Sequence, residues 1–234
     1  MIMIAEVLPV EENIKKLSEE ANQIFRVLGD IITINREMYS AGLITPTGGN
    51  VSARISSRPS ELWITPSQIF KGELQPDMLV PIDLSGNLLN GYRYRASSER
   101  FVHCEIMRRR PEFNAVIHTH PPKTLIMDLA NIPFTPISTE AAFLGDIPRV
   151  PFIMPGTKEL GNQVANGIGE GFAVIMQNHG LVVAGKDLRQ AADITHIIER
   201  TAEKILGSYD VGKDPRVLSA EAIAQLKKNN ELIA

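Results

Sequence analysis

The sequence of 234 residues is poor in the features that mark several protein classes. A single cysteine, Cys104, excludes an internal disulfide and favours a reducing compartment such as the cytoplasm. No apolar run approaches the roughly 18 residues of a membrane span, and residues 1–6 lack the basic region and apolar core of a signal peptide. The net charge of −3 gives no reason to expect a polyanionic partner. We therefore expect a cytoplasmic protein with a small-molecule substrate and neither a nucleic-acid nor a membrane partner.

The residues that are abundant indicate a globular chain with a substantial core. Hydrophobic residues make up 44% of the sequence and charged residues 22%. No internal repeat or linker divides the chain, so we predict a single domain over residues 1–234, with residues 1–10 as a loose N-terminal arm.

Hydrophobic spacing and turn residues predict helices near both ends and strands in the middle of the chain. Several strands are joined by short turns, which favours antiparallel pairing. The predicted fold class is α/β, with three α/β/α layers around a central, mainly antiparallel sheet. The predicted helices are 11–41 (as one long helix or two), 97–110, 123–130, 157–168, 188–206 and one after Ser219. The predicted strands are 51–55, 62–65, 78–84, the strand before His120, 147–153 at an edge, 172–177 and 181–184.

Histidines in two separate segments have the spacing of metal ligands. His118 and His120 end an apolar strand, and side chains two residues apart on a strand lie on the same face. His179 follows another apolar run, and Glu99 begins a predicted helix just before the first pair. Three imidazoles and a carboxylate suit a catalytic Zn²⁺ or a similar divalent ion.

Each of these residues also has an ordinary structural explanation. A histidine at a strand end is often only a hydrogen-bonded polar residue, and Asn178-His179-Gly180 makes a good turn. The two remaining histidines are predicted to lie outside any metal site. His103 follows Glu99 by one helical turn and is expected to be its structural neighbour, and His196 is expected to be an ordinary helix residue.

Five short segments in a fixed order resemble the class II aldolase/adducin family. The resemblance covers about residues 15–210. The segments are Thr47-Gly48-Gly49-Asn50-Val51-Ser52, Ile64-Thr65-Pro66-Ser67, Ser97-Ser98-Glu99, His118-Thr119-His120 and Asn178-His179-Gly180.

The resemblance implies a metal site and an anion site in a homotetramer with active sites at subunit interfaces. One divalent metal per chain is expected, with Zn²⁺ favoured by three histidines and Mn²⁺, Co²⁺ or Fe²⁺ as alternatives. By matching segment, His118, His120 and His179 are the metal ligands, and Glu99 is the catalytic base and a possible fourth ligand. The predicted substrate or anion-binding residues are Gly49, Asn50, Ser67, Gln68, Ser97 and Ser98, although a serine at 97 or 98 also suits a helix cap.

Three positions depart from the aldolase pattern. Gln68 stands where the sugar-phosphate aldolases of the family carry glycine. An aldolase of this family also has one tyrosine in the segment corresponding to residues 134–143 and a second near its C-terminus, and this chain has neither. Glu140 is the only acid in that stretch and is a possible substitute, although a surface or helix-start role also fits it.

The resemblance therefore implies a metal-dependent lyase that cleaves a C–C bond. The first reading is a retro-aldol reaction on a sugar phosphate through a metal-stabilised enediolate. The alternatives are metal-dependent decarboxylation of a hydroxylated (aromatic) carboxylic acid, and epimerase or dehydratase chemistry. A noncatalytic adducin-like module is the least favoured, because that reading predicts the loss of the metal ligands.

Overall fold

The computed structural model describes residues 10–89 and 91–228, in which seven α-helices and seven strands are formed. Residues 1–9, most of the predicted loose arm, lie outside the described residues, and α1 begins at Val10. The helices are α1 (Val10–Ser40), α2 (Arg100–Arg109), α3 (Pro122–Leu129), α4 (Thr139–Leu144), α5 (Lys158–Ile168), α6 (Leu188–Asp210) and α7 (Ala220–Lys228). The strands are β1 (Asn50–Ile55), β2 (Arg58–Ile64), β3 (Val80–Asp83), β4 (Ala115–Thr119), β5 (Arg149–Val150), β6 (Ala173–Met176) and β7 (Gly180–Gly185).

The strands form one mixed sheet in the order β3-β2-β1-β4-β7-β6-β5. Every pairing is antiparallel except that of β5 with β6, so the predicted mainly antiparallel sheet is confirmed. β5 lies at the edge as expected but has only two residues, because Pro148 and Pro151 flank it and cannot donate to a ladder.

Alternating side chains on β4 divide the core between the two faces of the sheet. Ala115 and Ile117 join the cluster that includes residues of α1 and α6, whereas Val116 joins the cluster that includes residues of α2 and α5. The three-layer prediction is therefore confirmed. By the same alternation His118 faces the α2 side of the sheet.

Two helix ends agree with the sequence, one differs from it, and one short helix was not predicted. Gly42 ends α1 with a φ of +71°, and Ser219 caps α7 by accepting from the Ala222 N–H at 3.2 Å. The serines before α2 do not cap it, since the N-cap residue is Glu99 and no side chain accepts there. α4 was not predicted, because its six residues are too few to display a helical period.

No helix among the described residues is both long and apolar enough to cross a bilayer.

Candidate metal centre and active site

The three predicted histidine ligands converge at one end of the sheet. His118 ends β4, His120 follows it, and His179 lies in the turn between β6 and β7. β7 runs antiparallel to β4 with Thr119 opposite Leu181, so the turn that carries His179 projects beside the end of β4. One nitrogen from each ring lies within 4.8 Å of the others, and Nε2 of His118 is 3.1 Å from Nε2 of His120.

Two glycines make room for these rings. A Cβ atom on Gly180 would lie 2.6 Å from Cε1 of His118 and 2.8 Å from Cδ2 of His120. A Cβ atom on Gly48 would lie 2.9 Å from Cε1 of His120. These distances are shorter than real Cβ contacts, so both positions require glycine for the rings to keep these places.

Glu99, the N-cap residue of α2, contacts the histidine cluster. Its Oε2 is 3.1 Å from Nε2 of His118, and its Oε1 is 3.0 Å from Nε2 of His179. The amide of Asn50 donates a hydrogen bond of 3.0 Å to Oε2 of Glu99. Asn50 is paired with His118 in the β1–β4 ladder, so it lies beside the cluster. Glu99, His118 and Asn50 are all buried. The acid and the strand-end histidines therefore form one site.

Glu99 and His118 stabilise each other's charged forms. Burial works to raise the pKa of Glu99, but the charge and hydrogen bond of His118 outweigh it and hold that pKa well below its usual range. Burial works to lower the pKa of His118, and Glu99 outweighs it so that the pKa is raised. His120 is different, since burial and the charge of His118 lower its pKa to about 3 and keep the ring neutral.

The donor set fits a divalent metal ion. The Nδ1–H of His118 donates to the carbonyl of Leu181 at 3.1 Å, which directs its Nε2 lone pair toward the cluster. Oε1 of Glu99 and Nδ1 of His179 are buried and have no hydrogen bond of good geometry among the described residues. Oε1 of Glu99 lies 3.0 Å from Nε2 of His179. Tetrahedral zinc with Zn–N bonds of about 2.0–2.1 Å separates two ligand nitrogens by roughly 3.3 Å, close to the observed His118–His120 distance.

A buried acid supports the turn that carries His179. Oδ2 of Asp128, in α3, accepts a hydrogen bond of 3.1 Å from the N–H of Asn178. Its other oxygen lies 3.3 Å from Nε of Arg149. Asn178 has a φ of +57°, a left-handed conformation that asparagine tolerates. Asp128 thus holds the residue next to a candidate ligand in place.

His120, His179 and Glu99 line a cavity of about 360 Å³, whereas His118 is buried and does not reach it. All six predicted anion-binding residues line it: Gly49, Asn50, Ser67, Gln68, Ser97 and Ser98. A bridge between Pro66 and Ala96 and a hydrogen bond of 2.9 Å from the Ser67 N–H to the Arg95 carbonyl bring the two serine segments together. Their roles stay predictions, but the tertiary structure places them around one space.

Glu140 does not reach this cavity within the chain. It is exposed in the first turn of α4 and lines a separate groove formed with α6 and Leu226. Its role as a substitute acid stays a prediction. His196 lines the same groove and lies 2.9 Å from Glu37, so it is not part of the histidine cluster.

Two cationic residues that line the cavity were not predicted from the sequence. Arg95 is exposed at the cavity wall, and Lys71 is buried with only 2% of its surface exposed. The Lys71 ammonium donates to the Pro66 carbonyl at 2.8 Å, and burial lowers its pKa to about 8. Lys71 lies in a short 3₁₀ segment that looks like an ordinary surface turn, so no local pattern could have identified it.

Comparisons with known proteins agree with this fold and site. Residues 29–206 match the sequence model of the Class II Aldolase and Adducin N-terminal domain. The chain is 30% identical over 204 residues to the 5-deoxy-D-ribulose 1-phosphate aldolase of Bacillus thuringiensis serovar kurstaki, covering 86% of this chain and 94% of that protein. It is 32% identical over 213 residues to the 3-oxo-tetronate 4-phosphate decarboxylase of Pectobacterium atrosepticum, covering 86% and 92%.

A solved L-fuculose 1-phosphate aldolase has a similar structure. The TM-score is 0.80 at 25% identity, and the match covers 87% of this chain and 95% of the other. The predicted fold class and lyase type are confirmed by these matches, and aldolases and decarboxylases both occur among the relatives. The protein belongs to the class II aldolase and adducin family.

Proposed function

We propose that this protein is a divalent-metal-dependent lyase that cleaves a C–C bond of a small phosphorylated hydroxy-carbonyl compound by a retro-aldol reaction. The observation that carries the proposal is that two of the three clustered imidazoles, together with Glu99, line the same cavity as the buried cation Lys71. A metal held by the imidazoles suits a chelating hydroxy-carbonyl group, and the buried cation suits an anion.

His118, His120 and His179 would hold the metal, and Zn²⁺ is the ion that three imidazoles favour. A bound divalent metal supplies Lewis acidity, which stabilises negative charge that develops on the substrate oxygens. Neutral imidazoles leave the charge of the ion largely uncompensated, and the low pKa of His120 suits this role. Glu99 lies beside the rings and is available as a further ligand.

Glu99 is the residue proposed to move the proton. The pKa of Glu99 lies well below its usual range in spite of burial, so its carboxylate is ionised at neutral pH, and a bound divalent cation would favour the same form. An ionised carboxylate can accept a proton from a substrate hydroxyl as the C–C bond breaks, and can return it to carbon. Asn50 donates to Oε2 of the carboxylate, and Oε1 lies 3.0 Å from Nε2 of His179.

The anion end of the substrate is proposed to bind between the two serine segments and Lys71. A buried ammonium is costly unless it is paired, and among the described residues that of Lys71 has one hydrogen-bond acceptor, the Pro66 carbonyl. The hydroxyls of Ser67 and Ser98 and backbone N–H groups near Gly49 offer further donors. The relatives described above are all named for phosphorylated substrates, which supports a phosphate here.

Decarboxylation of a phosphorylated 3-oxo acid is the second candidate, and Gln68 favours it. Gln68 has a φ of +58°, a left-handed conformation that glycine adopts freely and that costs other residues roughly 1–2 kcal/mol. Gln68 keeps this backbone conformation despite its cost, and its exposed amide lines the cavity. It adds a polar side chain at a position where the sugar-phosphate aldolases have none. Such a group can bind the carboxylate that a decarboxylase substrate carries.

Proton exchange on dihydroxyacetone phosphate in D₂O, followed by NMR, tests the proposal. Zn²⁺-loaded protein is expected to place deuterium on the hydroxymethyl carbon, and EDTA-treated protein is not. His120→Ala should lose metal and exchange together, whereas Glu99→Gln should keep the metal and lose most of the exchange. Full exchange by Glu99→Gln would refute the role of the base.

The anion end is tested with the same assay. Lys71→Met should raise the KM for dihydroxyacetone phosphate and weaken inhibition by inorganic phosphate, with zinc content unchanged. Metal-loaded protein that exchanges no deuterium but releases CO₂ from 3-oxo-tetronate 4-phosphate would replace the aldolase by the decarboxylase.

The remaining properties implied by the family are also proposals. We infer a single domain over residues 1–234, a homotetramer with active sites at subunit interfaces, and a cytoplasmic location, which the buried single thiol of Cys104 suits. Light scattering should give a mass of about four times 25.8 kDa. A monomer would contradict the shared sites.

A further inference from the structure

A buried chain of hydrogen bonds leads away from Glu99 into the core, and two of its members have no part in the proposed reaction. The amide of Asn50 donates to Glu99 at 3.0 Å, and its oxygen contacts Nε2 of His103. Nδ1 of His103 lies 2.7 Å from the hydroxyl of Ser52. His103 and Ser52 are completely buried, and Asn50 is 3% exposed.

The chemistry of the chain allows only one arrangement of protons. An ionised carboxylate only accepts, so the Asn50 side chain must turn its NH₂ group to Glu99 and its oxygen to His103. The ring nitrogen that faces this oxygen must then carry a proton, which makes His103 the Nε2–H tautomer. Nδ1 is left as an acceptor, and the Ser52 hydroxyl donates to it. Burial and the charge of His118 lower the pKa of His103 to about 3, so the ring is neutral.

We propose that His103, as the neutral Nε2–H tautomer held by Ser52, is a positioning residue that fixes the amide of Asn50 and thereby orients the Glu99 carboxylate for proton transfer. The inference rests on the proposed function of Glu99. Neither His103 nor Ser52 lines the cavity, so both act through Asn50.

The geometry explains why an imidazole is used at this place. Asn50 begins β1 and Ser52 follows on the same face of that strand, so both side chains face α2, which carries His103. A ring between them bonds both side chains at once. Without this ring the Asn50 amide could rotate and present its oxygen to Glu99, which would repel the carboxylate.

The tautomer is tested on the whole protein by ¹⁵N NMR of histidine-labelled samples, with His103→Gln used to assign the resonance. A neutral ring protonated at Nε2 at pH 7 is expected. A ring protonated at Nδ1, or at both nitrogens, would overturn the inference. This measurement needs no substrate and no turnover, so it stands even if dihydroxyacetone phosphate is not processed.

The positioning role is tested by two variants that differ in one property. The amide of His103→Gln offers a donor for Asn50 and an acceptor for Ser52, as the ring does, whereas His103→Leu offers neither. His103→Leu is expected to lower kcat for deuterium exchange by roughly 10–100-fold, with KM and zinc content within twofold of wild type, and His103→Gln should recover most of the loss.

A purely structural role predicts a different pattern. In that case both variants would lose stability and zinc together, or His103→Gln would be no better than His103→Leu, and either result would overturn the proposal. If the wild-type protein itself exchanges no deuterium, the proposed reaction has failed for dihydroxyacetone phosphate. In that case the ¹⁵N NMR measurement of the His103 tautomer alone decides whether the inference stands. Ser52→Ala removes only the hydroxyl that donates to His103, so it changes the side-chain volume little. It should also lower kcat for deuterium exchange.

Discussion

Replacement of Gly180 by alanine is the sharpest test of how the candidate metal centre is built. The new methyl group would lie 2.5 Å from the carbonyl oxygen of Thr119, 2.6 Å from Cε1 of His118 and 2.8 Å from Cδ2 of His120. Ordinary contact begins at 3.4 Å, so these atoms must move by several tenths of an ångström. Two of the three belong to candidate ligands, so their displacement changes the spacing of the donor nitrogens.

The expected cost is large enough to measure in two separate quantities. Displacement of ligand rings typically lowers metal affinity by roughly 10–100-fold, which corresponds to about 1.4–2.8 kcal/mol. Overpacking at a closed site lowers the free energy of unfolding by about 1–3 kcal/mol. Zinc affinity is measured by competition with a chromogenic chelator, and the free energy of unfolding of the metal-free protein by urea titration.

Gly207→Ala is the matched control. Gly207 lies in α6, and a Cβ atom there meets nothing within 4 Å. This variant should bind zinc as wild type does and gain about 0.5–1 kcal/mol of stability, because glycine is unfavourable inside a helix. Gly180→Ala that keeps wild-type zinc affinity would refute the reasoning. A loss of stability alone would mean that the Thr119 backbone absorbs the overlap and the rings do not.

Two further predictions concern the supports of the site. Asp128→Ala removes the acceptor for the Asn178 N–H, so it should lower the free energy of unfolding by about 1–3 kcal/mol and should also lower zinc affinity. Asp128→Asn keeps an acceptor and should lose less of both. Equal losses of zinc affinity in a chelator titration of the two variants would contradict this. His103 has a pKa lowered to about 3 against an ordinary 6.5, so between these values the unfolded chain binds more protons and stability falls as pH falls. Urea titration of metal-free protein should show His103→Gln losing about 2 kcal/mol less than wild type between pH 6.5 and pH 5; equal losses would show that the ring does not carry this dependence.

The sequence by itself determined those parts of the site that depend on local geometry. A strand places His118 and His120 on one face whatever the rest of the chain does, and Asn178-His179-Gly180 between two apolar runs predicts a hairpin. Helical spacing predicted α1 and α6, and Gly42 marked the end of α1. Order and spacing of the five segments were enough to indicate the family.

The tertiary structure alone decided which distant residues meet. Lys71 is buried in the cavity wall because three of its groups are hydrogen-bonded: its N–H to Pro46, its carbonyl to Asn35 and its ammonium to Pro66. The sequence of a short 3₁₀ turn does not reveal these contacts. His103 lies 53 residues from Asn50, so their contact follows from the packing of α2 against the sheet. Side-chain burial and long-range pairing depend on the assembled layers, and local periodicity carries no information about either.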